Sequence, residues 1–296
     1  MQKEQLLNLL GPFPQKTALN PAILEAIDCG SYIREKVAYD VEPGERITAY
    51  LLIPKNLKVQ TPVIFCYHQH GSRFDLGKSE VAGLAGDPGQ ATAAELAELG
   101  YITFAPDAIG FEERNWDPAK PGNTSWFELA TRLIRGETLL AKALHDVSAG
   151  IDYLQTRAEA DSEKIGFIGH SYGGRMAIWA TALDKRIKVA VSHCGCASYQ
   201  NSAVRTAGIQ MEFCVPGIVR YGDIGDIVKM AEPSSLYLSA TDEDRWSKGA
   251  REIYDYAKPA FILGELQLKV WPGKHVFTRQ MREEAYAFLK KLLRKA

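Results

Sequence analysis

Ser171 is the residue whose surroundings most clearly point to chemistry. It stands in Gly169-His-Ser-Tyr-Gly173, after the apolar run Ile165–Ile168 and before a stretch of small and apolar residues from Gly174. Strand, sharp turn and helix are the context in which a G-x-S-x-G pattern becomes a nucleophile elbow. The turn holds the serine in a strained backbone and lifts its hydroxyl above the sheet. Gly169 and Gly173, lacking Cβ, let the strand and helix approach closely. The helix that follows aims its free N–H groups at the serine, where they favour a developing negative charge.

A serine hydroxyl needs a base, and the base needs an orienting carboxylate. In folds with such an elbow these partners follow the serine as an acid and then a histidine. The histidines are at 68, 70, 145, 170, 193 and 275. Only His275, in Gly273-Lys-His-Val-Phe, follows the region where the acid is expected. The acid is expected where Leu236-Tyr-Leu-Ser-Ala-Thr leaves its strand, at Asp242, Glu243 or Asp244. Asp242 comes first off the strand and is favoured. Asp244 is the alternative, and either one also suits an N-cap ahead of Trp246. Two backbone N–H groups are needed for an oxyanion. Tyr172, next after the serine, supplies one. The loop His68-Gln-His-Gly-Ser supplies the other, assigned to His70 with Gln69 as the alternative.

His68 and His70 form an H-x-H pair, which on a strand puts two imidazoles on one face. A metal hydrolase would need further ligands on other strands, and the pattern does not supply them, so no metal and no cofactor are expected. Cys194 and Cys196 form C-x-C with no second ligand pair nearby and read as packed thiols. His170 reads as packed beneath the elbow.

Positioning these residues requires a particular scaffold. Tyr32–Tyr39 and Arg46–Pro54 alternate as strands and join at Glu42-Pro-Gly-Glu into an antiparallel hairpin. Strands and helices alternate from residue 61 onward, the signature of a mostly parallel sheet covered on both faces. The strands are Thr61–Tyr67, Tyr101–Asp107, the serine strand, Lys188–Cys194, Leu236–Asp242 and Leu266–Trp271. Helices are predicted over Gln90–Leu99, from Ser125 with capping-box spacing to Glu128, over about 137–157, over Trp246–Lys258 and over Thr278–Lys295. Residues 1–30 read as a helical or irregular lead-in. The whole of 1–296 reads as a single domain, with insertions at 113–135 and 198–233 that shape the active site.

Composition narrows the function classes. The chain has 296 residues, 46% hydrophobic and 24% charged, with net charge −1. That is ordinary globular composition, and nothing in it points to nucleic acid or a membrane as partner. No segment approaches the roughly 20 apolar residues of a membrane span, and no leader-like run begins the sequence. Five scattered cysteines, an odd number, do not form a disulfide framework and suit a cytoplasmic setting. A small-molecule ester is the expected partner, and a homo-oligomer stays open.

These motifs resemble the α/β-hydrolase superfamily, in particular its dienelactone-hydrolase-like and acetyl-xylan-esterase-like branch. The carriers are His68-Gln-His-Gly, Ala105-Pro-Asp-Ala-Ile-Gly-Phe, Gly169-His-Ser-Tyr-Gly-Gly, Leu183-Asp-Lys-Arg-Ile, Ser239-Ala-Thr-Asp and Gly273-Lys-His-Val-Phe. They span about residues 32 to 295. Gln69 and Ser239 stand where the family usually has glycine. The resemblance implies an α/β-hydrolase fold and a serine hydrolase that cleaves a carboxylic ester through an acyl-enzyme. Dienelactone hydrolase proper uses a cysteine nucleophile, and Ser171 argues against that activity. A peptidase, amidase or thioesterase with the same triad is the alternative, followed by a non-catalytic ligand-binding relative. Trp116, Trp126, Phe127, Tyr199, Met211, Phe213 and Tyr221 in the insertions would give an aromatic pocket suited to a small or medium acyl or aryl ester. Arg73, Glu112, Glu113 and Arg114 read as solvated ion pairs rather than substrate ligands.

Overall fold

A computed structural model describes residues 1–55, 57 and 59–294. Nine strands among them form one sheet: β1 (Ala22–Asp28), β2 (Tyr32–Glu42), β3 (Glu45–Pro54), β4 (Thr61–Tyr67), β5 (Ile102–Pro106), β6 (Ala160–His170), β7 (Ile187–His193), β8 (Ser235–Thr241) and β9 (Leu266–Trp271). Their spatial order is β1-β2-β3-β5-β4-β6-β7-β8-β9. The first three strands are antiparallel to their neighbours, and β5 to β9 run parallel. This is the α/β-hydrolase fold that the alternation predicted.

The sheet is buried on both faces, and its central strands carry the continuous apolar runs this requires, Val63–Tyr67 on β4, Ile165–Ile168 on β6 and Val189–Val191 on β7. On β4, Val63, Phe65 and Tyr67 face one core with the helices Leu139–Leu154 and Tyr172–Leu183. The alternating Ile64 and Cys66 face a second core with the helices Thr92–Glu98 and Arg279–Leu293. Phe65 stacks on Phe167 of β6 with ring centroids 5.0 Å apart, and a side chain of this size contributes about 1.5–3 kcal/mol on burial. The chain leaves β4 toward β5 and later returns to β6 on the other side. The sheet order therefore reverses at β4, where crevices open at the carboxyl ends of parallel strands.

Two details differ from the sequence reading. The lead-in contains a helix, Lys3–Leu10, and the edge strand β1. β1 was not legible because it lies exposed along nearly its whole length and so shows no buried alternation. The helix expected from Ser125 begins at Asn123, after Gly122 in a left-handed conformation (φ 81°). Ser125 is thus inside the helix, buried, and its hydroxyl has no partner among the described residues. The final helix ends at Leu293, and the predicted end at Lys295 lies outside the described residues. No helix among the described residues is long and apolar enough to cross a membrane.

Candidate active site

Ser171 terminates β6 with φ 57° and ψ −112°, a left-handed conformation that a non-glycine residue adopts only when its surroundings enforce it. Here its N–H donates to the carbonyl of His193 (2.8 Å) and its carbonyl accepts from Arg175 N–H (2.9 Å). The close approach that the glycines allow is quantitative. A Cβ on Gly169 would stand 2.2 Å from the Gly173 carbonyl carbon. One on Gly173 would stand 2.1 Å from the Tyr67 carbonyl oxygen of β4. The elbow is therefore wedged against the neighbouring strand, and the helix Tyr172–Leu183 starts directly behind the serine.

His275 lies in the loop after β9, and its side chain is 30% exposed. His275 and Ser171 line one pocket of ≈ 370 Å³. His70, Gly71 and Ser72 from the loop after β4, Ile209, Gln210 and Met211 from the segment after β7, and Trp246 complete its lining. Beneath the pocket, the His275 Nδ1 is 3.1 Å from Asp244 Oδ1, at ion-pair distance but off the line of a straight hydrogen bond.

The acid beside His275 is thus Asp244 and not the favoured Asp242. β8 ends at Thr241, and the next two residues turn outward, leaving Asp242 and Glu243 exposed. The chain then folds back, and Asp244 is buried. Its carboxylate also accepts from the Trp246 N–H (3.0 Å) and the Ser247 hydroxyl (2.9 Å), capping the short helical turn Arg245–Ser247. Burial works against the charge of Asp244, but the His275 ring and these donors outweigh it and hold the carboxyl below its usual range. Asp242 has another task. Its carboxylate accepts the Gly273 N–H (2.8 Å) and so ties down the loop that carries His275.

The loop after β4 bends sharply at Gly71 and Ser72, both at positive φ. The Ser72 N–H donates to His70 Nδ1 (3.0 Å). The His70 ring is clamped between Phe74 and Phe111, with centroids at 5.0 and 5.1 Å. Gln69 does not line the pocket, and its amide turns to the Glu80 carboxylate. Of the two oxyanion assignments on this loop, only His70 stands at the site. Both nitrogens of the fully buried His68 are engaged, Nδ1 donating to the Gln69 carbonyl (2.8 Å) and Nε2 accepting from Ala108 N–H (3.1 Å). That ring anchors the loop and has no lone pair free for a metal.

The insertions contribute differently from the sequence reading. Of the seven bulky residues expected in the pocket, only Met211 lines it. Tyr199 and Phe213 are buried in the core, where the Arg175 guanidinium lies 6.0 and 5.3 Å from their ring centroids. Trp116, Trp126, Phe127 and Tyr221 are exposed. The pocket is accordingly more polar than expected. Gln210 and Trp246 were missed because nothing local marks a residue that only a folded loop brings to the site. Arg114 was read as solvated but is buried, paired with Glu45 and with Asp146 (2.8 Å). Arg73 does pair at the surface, with Asp75.

Fold and site together define an α/β-hydrolase with a serine, a histidine and an acid converging at the carboxyl edge of the sheet. Residues 47–236 match the Dienelactone hydrolase family, and the chain belongs to that family. With the family comes the enzyme class: hydrolases of carboxylic esters, a lactone being an internal one. YtaP of Bacillus subtilis (strain 168) is 29% identical over 236 residues, 78% of this chain and 77% of YtaP. Among solved structures, the acetyl xylan esterase from Paenibacillus sp. R4 superposes with a TM-score of 0.67 at 17% identity, covering 99% of this chain and 100% of that one. A glucuronoyl esterase from Solibacter usitatus superposes with a TM-score of 0.70 at 18% identity, covering 98% and 92%. At these identities the structural likeness establishes the fold.

Proposed function

We propose that the protein is a serine esterase that works through an acyl-enzyme, with Ser171 as nucleophile, His275 as base and Asp244 as orienting acid. The observation that carries this reading is the strained Ser171 sharing a pocket with His275, whose Nδ1 faces a buried carboxylate. A proton on Nδ1, directed at Asp244, leaves Nε2 as the lone pair that takes the Ser171 proton. The N–H groups of Tyr172 and His70 stabilise the tetrahedral oxyanion. His275 then protonates the leaving alcohol, and water releases the acyl group by the reverse steps.

The substrate we infer is a small acyl ester of a polyhydroxylated alcohol. The polar lining from His70, Ser72 and Gln210 supports it, as does the name of one structural neighbour, an acetyl xylan esterase. The test is fluorophosphonate labelling followed by intact mass, with acetylated oligosaccharides and p-nitrophenyl acetate as substrates. One adduct on the wild type that is absent from Ser171→Ala, with turnover of both substrates, is the expected result. A folded wild type that takes no adduct overturns the mechanism. Turnover of the aryl ester alone overturns the substrate.

A further inference from the structure

Under the pocket, His170, Cys194 and His275 converge. One ligand atom from each lies within 4.8 Å of the other two. They come from three separate places: the end of β6, the residue just past β7, and the loop after β9. His170 is buried, and its Nδ1 donates to Gln90 Oε1 (3.1 Å). That fixes the tautomer and leaves the Nε2 lone pair buried, with no partner among the described residues. A buried nitrogen without a partner costs free energy unless something fills its lone pair.

We propose that these three side chains bind a zinc ion, and that the ion reversibly switches off the hydrolase by occupying His275. The inhibition half of the proposal rests on His275 being the base; the binding half does not. Two imidazoles and a thiolate are a donor set that suits a borderline-soft, tetrahedral divalent cation. Tetrahedral bonds of about 2.0–2.3 Å put ligand atoms about 3.3–3.7 Å apart, so the cluster must contract by roughly an ångström. The backbone of this loop is tied at Gly273 and Val276, so the contraction comes from rotation of the His275 side chain, which is 30% exposed.

An outer layer for the ion is already in place. The His193 Nε2–H donates to the Val276 carbonyl (2.6 Å), and the same nitrogen is 3.4 Å from Cys194 Sγ. The Thr241 hydroxyl is also 3.4 Å from that sulfur. The Thr241 hydroxyl can donate to a thiolate, as outer-layer groups do around bound metals, while His193 packs against the sulfur with its one Nε2 proton held by Val276.

The chemistry of inhibition does not depend on which nitrogen of His275 binds. A neutral imidazole has one lone pair, and its other nitrogen carries hydrogen. With the lone pair on zinc, the ring has none left for the Ser171 proton. The Cys194 thiol loses its proton to solvent on coordination, so one proton is released per ion bound and no redox change occurs.

The test is equilibrium dialysis of the full-length protein with zinc, and with cobalt(II) as a spectroscopic substitute, alongside zinc titration of p-nitrophenyl acetate hydrolysis. Expected are one ion per chain, a thiolate-to-cobalt charge-transfer band, and loss of hydrolysis that a chelator restores. Cys194→Ser should abolish the band. Cys194→Ser and His170→Asn should each weaken zinc binding by at least the roughly 10–100-fold that loss of an outer-layer partner costs. Cys29→Ser should change neither. A wild type that binds no ion, or a charge-transfer band that persists in a folded Cys194→Ser, overturns the site. If either variant fails to fold, the other decides. An ion bound at the site with hydrolysis undiminished overturns the switch. If no hydrolysis is found at all, dialysis and the cobalt band still decide the site, so failure of the esterase reading stays separate.

Discussion

The carboxylate of Asp242 holds the backbone N–H of Gly273, two residues before His275, whereas the buried Asp244 faces the His275 ring itself. Two acids two residues apart thus serve the same histidine in different ways. One fixes its loop and the other faces its ring. Asp244→Asn should lower kcat by about 10⁴, the loss expected when an imidazole is held in the wrong tautomer. Asp242→Asn keeps an oxygen for Gly273 and should lose less than about tenfold. Steady-state kinetics on p-nitrophenyl acetate separates the two, and equal losses would refute the assignment.

The elbow should tolerate no side chain at Gly173. Its Cβ would fall 2.1 Å from a backbone oxygen of β4, which cannot rotate away as a flexible side chain can. Gly173→Ala should cost at least about 1–3 kcal/mol in urea denaturation. An unchanged midpoint would refute this tight apposition of the helix and β4.

Lys78 is fully buried and bridges the loops that follow β4 and β5. Its ammonium contacts Asp107 Oδ2 (2.6 Å) and Glu112 Oε1 (2.8 Å). Burial works against the charge of the ammonium, but these two carboxylates outweigh it. Removing the cation strands both acids. Lys78→Met should therefore cost about 3–5 kcal/mol. A loss below about 1 kcal/mol, measured by the same denaturation, would rule out this bridge as what holds the His70 loop.

Glu212 lies fully buried, with Oε1 3.7 Å from His70 Nε2, and burial pushes its carboxyl up to about 7. A folded pKa above the unfolded value means that the native state holds the proton more tightly. Stability from this group is complete below about pH 4.5 and declines as pH rises through about 7. Glu212→Gln cannot ionise, so its stability relative to wild type should climb between pH 5 and pH 8, by an amount on the order of 1–3 kcal/mol. Burial pushes His70 down to about 4, which gives the opposite trend in both proteins. A pH-independent difference would show that Glu212 is ionised in the folded protein throughout.

What the sequence by itself determined lies close along the chain. Strand, turn and helix around Ser171 are contiguous, and the periodicity of residues 165–183 carries all three. His275 was identifiable because chain order in this fold admits one histidine after the acid strand. The alternation of apolar strands with helices announced a buried parallel sheet. What only the tertiary structure decided involves residues far apart in sequence or a turn too short to leave a pattern. Asp242 and Asp244 are chemically identical, and two residues of loop geometry after β8 determine which one faces the histidine. His170, Cys194 and His275 end or follow three different strands, and nothing in their spacing reveals that their ligand atoms converge. The pocket lining from Ile209 to Met211 depends on how the segment after β7 folds over the elbow, with Arg175 among its rings. Local periodicity records which face of an element is buried. It does not record which distant side chain that face will meet.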